Sequence, residues 1–174
     1  MATAKQAEFI LRQYTPQDQA GVNAVFIDGC EFYPHILEHW DEFIQESLDG
    51  DLARILSTYI APGGNFWVIT APGKVNNEET VVGIVGLENK GDGVGELRRM
   101  AVSIAFRRHG IGRRLVAELE TWARDNGFTK VILLNGGPQD DARAFYRAIG
   151  YQDVGRKVVS VDPHVEVFEL AKQL

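Results

Sequence analysis

The run Arg107-Arg108-His109-Gly110-Ile111-Gly112-Arg113 gathers residue types that bind anions. It stands where a short polar stretch gives way to an apolar repeat at helical spacing, Ile111, Leu115, Leu119 and Trp122. At a helix start the first backbone N–H groups have no intrahelical acceptor, and the helix dipole is positive there. Phosphate groups settle at such ends. Glycine leaves room for a close approach to the backbone, and arginine adds charge-assisted donors. The chemistry implied is capture of a small phosphorylated ligand. A surface turn with solvated arginines and a glycine cap would use the same residues, and the turn alone does not separate the two readings. Other phosphate motifs are excluded. There is no Gly-Lys-Ser/Thr, and no G-x-G-x-x-G opens a helix. Gly91, Gly93 and Gly95 precede an apolar strand and read as a hairpin turn.

The elements that must position this turn follow from periodicity. Residues 96–102 form a strand that runs into it, and the helix after it ends at Gly127. Residues 130–134 are a short apolar run, hence a buried strand, and residues 140–149 form a helix with Ala142, Phe145 and Ile149 on one face. Upstream, residues 8–14 read as a strand. Thr15 and Pro16 open a helix to about residue 28. Residues 34–59 read as two helices broken near Asp49-Gly50-Asp51, and residues 65–70 and 80–87 as strands. Residues 151–154 and 165–170 close the chain as strands.

Composition bounds the function. The 174 residues, 45% hydrophobic and 24% charged, suit one globular domain, 1–174. A net charge of −6 argues against nucleic acid as a partner. Against it, Arg98, Arg99, Arg107, Arg108, Arg113 and Arg114 form a local basic cluster suited to a multiply charged small ligand. No apolar run reaches the roughly 20 residues of a membrane helix, and the first residues lack a signal peptide pattern. A lone cysteine, Cys30, permits no internal disulfide and reads as a small buried residue. A cytoplasmic protein without membrane partners is expected.

R-R-H-G-I-G resembles the Q/R-x-x-G-x-G/A pyrophosphate loop of the GNAT superfamily of N-acetyltransferases. L-R-R-M-A-V resembles that family's fourth strand. A-R-A-F-Y-R-A-I-G-Y, residues 142–151, resembles its later helix, one strand and one helix downstream. The resemblance covers residues 96 to about 154. It implies an α/β (α+β) domain: a mixed, mostly antiparallel central sheet of about seven strands, helices on both faces, and splayed central strands. It implies an enzyme that moves an acetyl group directly from acetyl-CoA to an amine acceptor, without metal. Backbone groups of Met100, Ala101 and Val102 would face the pantetheine arm. Arg107, Arg108, His109, Gly110, Ile111, Gly112 and Arg113 would hold the pyrophosphate. Tyr146 would protonate the departing thiolate, and Glu96 would accept the amine proton through water. Many members carry Asn where this chain has Gln139, so Asn135 is expected to substitute as a cofactor contact.

Glu31, Tyr33, Glu38 and Asp41 stand where an acceptor would dock, although helix surfaces are charged in any case. His35-Ile36-Leu37-Glu38-His39 has the H-x-x-E-H spacing of a zinc motif. No third ligand accompanies it, so it reads as coincidence on an amphipathic helix. The alternative from another class is a non-catalytic acyl-CoA-binding or sensing module with the same fold; the presence of Tyr146 favours the enzyme. The acceptor's identity is left open, as is a homodimer.

Overall fold

The computed structural model describes residues 9–33, 40–73, 78–136, 139–162 and 164–174. The H-x-x-E-H run and Glu38 lie outside the described residues. Among the described residues, seven strands form one sheet in the order β1-β2-β3-β4-β5-β7-β6, with β1 Ile10–Gln13, β2 Asn65–Pro72, β3 Glu79–Asn89, β4 Val94–Val102, β5 Lys130–Gly136, β6 Gln152–Val161 and β7 His164–Gln173. Four α-helices among the described residues accompany it: α1 Gln19–Glu31, α2 Trp40–Asp49, α3 Ile111–Asp125 and α4 Asp140–Ala148. The expected class holds: strand pairs are antiparallel except β4 with β5. No described helix is long and apolar enough to cross a membrane.

The sheet carries an apolar cluster on each face. One joins α3 and α4 to Trp67, Ile69, Leu87, Leu97, Val131 and Leu133. The other joins α1 to Phe66, Val68, Ile84, Leu52 and Tyr59. Helix α3 seats closely on β3 because Gly83 has no side chain; a Cβ there would lie 2.7 Å from Ile111 Cγ2. The predicted start of α1 is a 3-10 turn, Pro16–Asp18, whose Asp18 carboxylate accepts the Thr15 N–H at 2.8 Å. The expected break after α2 leads through a 3-10 turn, Leu52–Arg54, into one turn of π-helix, Leu56–Ile60.

Two sequence expectations change. β6 does not stop near residue 154 but runs to Val161, because β7 supplies a hydrogen-bonding partner along its length, with bulges at residues 153–155 and 158–160. Helix α4 buries Arg143 and Tyr146 most deeply, while Ala142, Phe145 and Ile149 are only partly buried. Its inward face is therefore turned toward Tyr146. Arg143 can lie inside because its guanidinium donates to the Gly136 carbonyl at 2.9 Å, pairs with Asp140, and stacks 4.2 Å from the Phe168 ring centroid.

Candidate active site

The parallel pairing of β4 with β5 covers only Val94, Gly95 and Glu96 against Lys130, Val131 and Ile132. Past that point the strands part, and one edge of β4 has no strand beside it. The gap opens onto a cavity of about 1140 Å³, lined by both strands, the turn after β4, α4, the end of α1 and β7.

The turn forms one end of the cavity. After β4 the chain makes a 3-10 turn, Ile104–Phe106, anchored by the Ile104 N–H donating to Asp28 Oδ2 of α1 at 2.7 Å. Arg108 then takes φ 65° and Gly110 φ 73°, so the chain doubles back before α3 begins. Left-handed residues in such a turn aim successive N–H groups into a concavity that suits an anion. Arg114 N–H donates to the Gly110 carbonyl at 3.1 Å, which leaves the amides of Ile111, Gly112 and Arg113 ahead of the first intrahelical acceptor. A Cβ built on Gly110 meets nothing within 4 Å, so the space above the turn is open. One on Gly112 would lie 3.1 Å from Met100 Cε, so that glycine admits Met100. Arg107, Arg108 and Arg113 line the same end, and no carboxylate pairs with them among the described residues. This geometry fits a pyrophosphate.

Tyr146 lies further along the cavity wall. It is 6% exposed, its ring is packed edge-on against Phe145 and Tyr151, and burial raises its phenol well above the usual tyrosine range. It therefore keeps its proton at neutral pH, so its hydroxyl has a hydrogen to donate. Glu96 also lines the cavity, from the β4 residue where pairing with β5 ends, and Lys90 Nζ stands 3.3 Å from its Oε2.

The strand-splay, the glycine turn and the sequence agree on one family. The sequence model of the acetyltransferase (GNAT) family matches residues 32–151. The chain belongs to that family. It is 32% identical over 121 residues to rat N-acetyltransferase family 8 member 2, covering 68% of this chain and 52% of the relative. It is likewise 32% identical over 128 residues to human N-acetyltransferase 8, covering 70% and 54%. The chain thus spans about half the length of the curated relatives it matches. Among solved structures, a GNAT acetyltransferase from Staphylococcus aureus Mu50 superposes with a TM-score of 0.75 at 18% identity, covering 96% of this chain and 99% of that one. PaiA N-acetyltransferase from Thermoplasma acidophilum, in complex with coenzyme A, gives 0.72 at 17%, covering 96% and 99%. At such identities these two likenesses speak for the GNAT fold alone.

Several GNAT-based expectations meet a different arrangement. His109 does not line the cavity. Its Nδ1 lies 2.9 Å from the Arg107 carbonyl and 3.1 Å from that of Phe106, so the ring braces the turn from behind. The basic cluster divides. Arg98 and Arg99 turn to the α1 and α2 side, where they pair with Glu88 at 2.6 Å and Asp51 at 2.6 Å, while Arg114 donates to the Phe9 carbonyl. Asn135 lines the cavity, but its side-chain amide is tied to Gln139 and joins the end of β5 to the start of α4. Of the acceptor-side residues, Glu31 and Asp41 are exposed and do not line the cavity, whereas Tyr33 does.

The sequence reading did not foresee how the end of α1 crosses the cavity mouth. Tyr33 donates its hydroxyl to both Asp141 oxygens at 2.8 Å, and Phe32 lies under the Arg107 guanidinium, 3.8 Å from its ring centroid. Burial, then Asp141, pushes the Tyr33 phenol up to about 12. Residues 164–168 of β7 add another wall. Among the described residues no group of three or more His, Cys, Asp or Glu side chains could hold a metal.

Proposed function

We propose that this protein transfers an acetyl group from acetyl-CoA to the amine of a small molecule or peptide. The observation that carries the reading is the parting of β4 from β5 directly beside the turn at 107–113, so that one continuous cavity joins an anion-binding end to Tyr146. Met100, Ala101 and Val102 would meet the pantetheine arm through their backbone. Arg107, Arg108, Arg113 and the amides at 110–113 would hold the pyrophosphate. The Asn135 side chain contributes by shaping the junction of β5 and α4.

The acceptor nitrogen attacks the thioester carbonyl, a C–N bond forms, and the C–S bond breaks. Tyr146 gives its proton to the departing sulfur, and Glu96 takes the amine proton through water. We place the reaction in the cytoplasm, since one cysteine suits a reducing compartment. We further infer a homodimer, because the edge strand β6 exposes Val154, Val158, Val159 and Val161, and an uncovered apolar edge invites pairing.

The test is acetyl-CoA-dependent thiol release across a library of amines, alongside thermal melting with acetyl-CoA. Release with at least one amine is expected. Stabilisation without release for any amine would favour the non-catalytic binding module, and neither effect at millimolar acetyl-CoA would end both readings.

A further inference from the structure

Arg99 occupies a backbone conformation that its residue type rarely takes. Its φ is 55°, in the left-handed region where a Cβ crowds the following carbonyl. It stands in a β-bulge. Ile84 faces Ala101 and Gly86 faces Arg98, so β4 carries one residue more than β3 between the same two pairs. Glycine is the residue that relieves strain at a left-handed bulge position; here the chain uses arginine.

The bulge decides which way the rest of β4 points. Leu97, Met100 and Val102 all pack toward α3 and α4, while Ala101 packs with α1. Strict alternation from Leu97 would send Arg99 and Ala101 into the apolar α3 face and Met100 to the other side. The bulge also acts where β4 has no neighbour in β5, since that pairing stops at Glu96. It therefore sets which N–H and C=O groups of residues 98–102 look into the cavity.

The Arg99 side chain is anchored on every side. Its Nε donates to Asp51 Oδ2 at 2.9 Å, its Nη2 to Asp51 Oδ1 at 2.6 Å, and its Nη1 to Ser47 Oγ at 2.9 Å. Its guanidinium carbon lies 5.3 Å from the Phe26 ring centroid and 5.6 Å from that of Phe43. Asp51 also accepts a hydrogen bond from the fully buried Tyr59. A strained residue persists when its surroundings over-determine it, and such strain gathers at functional sites.

We propose that Arg99 is a positioning residue for acetyl transfer: clamped to Asp51, it holds the bulge that aims the backbone of Met100, Ala101 and Val102 into the donor cleft. The clamp thereby couples the wall built from α2 and the segment after it to the strand that would carry the donor. The proposal rests on the acetyltransferase reading above.

The decisive comparison is Arg99→Ala against Arg99→Gly. Both remove the guanidinium and its ion pair, but only alanine keeps the Cβ that opposes a left-handed φ. Alanine is expected to lower kcat about tenfold or more below glycine, the weight of the left-handed penalty. Acetyl-CoA-induced stabilisation should fall less than kcat in the alanine variant, because the turn at 107–113 is untouched and only the contacts of residues 100–102 are weakened. Amide hydrogen exchange at residues 98–102, measured without ligand, should be faster in the alanine variant. Equal kcat and equal exchange in the two variants would overturn the proposal, because other contacts of β4 would then hold the bulge. Should Arg99→Ala not fold, Asp51→Asn loosens the clamp without altering the residue at the bulge. Wild-type kcat and exchange in that variant would likewise overturn it. If wild type releases no thiol with any amine, the catalytic reading falls by itself, and the exchange comparison still decides whether the clamp holds the bulge.

Discussion

The two ends of the cavity treat charge in opposite ways. At the turn, Arg107, Arg108 and Arg113 have no carboxylate partner among the described residues, and the first amides of α3 precede any intrahelical acceptor. At the other end, the lining residues Glu96, Arg98 and Arg99 belong to a continuous chain of alternating cations and carboxylates: Glu96 with Lys90, Lys90 with Glu88, Glu88 with Arg98, and Asp51 with both Arg98 and Arg99. A site with uncompensated positive charge is prepared for an anion that arrives from solution. A wall whose charges are matched internally gains little from a charged ligand, but it fixes the backbone that carries it. The first end therefore reads as a binding device and the second as a scaffold.

The largest expected effect lies between the two ends. Tyr146→Phe should lower kcat by about 10² to 10⁴, the usual worth of a general acid, with acetyl-CoA affinity nearly unchanged. Steady-state kinetics and a binding titration check both halves, and a variant that lost affinity but kept kcat would make Tyr146 a packing residue. Next comes the binding end. Gly110→Val opposes the left-handed φ of 73°, and Gly112→Val presses on Met100 and fills the approach to the amides. Each should abolish the acetyl-CoA stabilisation of wild type, about 2.7 kcal/mol at a hundredfold excess over Kd. Melting curves with and without acetyl-CoA decide it, and normal shifts in both variants would reduce the turn to a structural feature.

The scaffold end should respond more weakly. Glu96→Gln should slow kcat/KM at neutral pH by at most about 10², the low end of what a positioned base contributes. Activity should recover at high pH, where the amine deprotonates unaided. A profile identical to wild type would make Glu96 part of the charge chain only. The smallest effect concerns Asp51. Burial would raise its carboxyl, but Arg99, Tyr59 and Arg98 outweigh that and hold it below the ordinary carboxylate range. Its folded value is depressed, so the stability it contributes is present above the unfolded value of about 3.9 and is lost as pH falls toward the lower folded value. Asp51→Asn should therefore flatten the acid side of the stability curve, by at most about 1.4 kcal/mol per pH unit. Thermal melts between about pH 2.5 and 7 measure that slope, and parallel curves would remove Asp51 from the acid response.

Local physics made part of this protein legible from residue order alone. The turn at 107–113 and helix α3 were readable because glycine backbone freedom, the helix dipole and a helical repeat act within a few consecutive residues. The hairpin at 91–95 and the strand leading to Val102 were readable for the same reason. Tyr146 followed from its place in a motif on α4, and the structure turns that residue into the cavity. The helix face deduced from Ala142, Phe145 and Ile149 was offset, because apolarity alone does not foresee an arginine satisfied by a carbonyl and a ring.

What only the tertiary structure decided concerns partners far apart along the chain. Arg98 and Arg99 are near neighbours of Arg107 in sequence, yet they face the opposite end, since strand alternation and one extra residue on β4 outweigh proximity. Arg99 meets a carboxylate 48 positions away, and Tyr33 meets one 108 positions away. Neither pairing leaves a local signal. A charged side chain declares only that it needs a counterpart or water; which counterpart it finds is set by the packing of whole elements. The sequence determined the glycine turn at 107–113 because its donors belong to its own backbone, whereas the scaffold opposite it depends on charges that folding alone brings together.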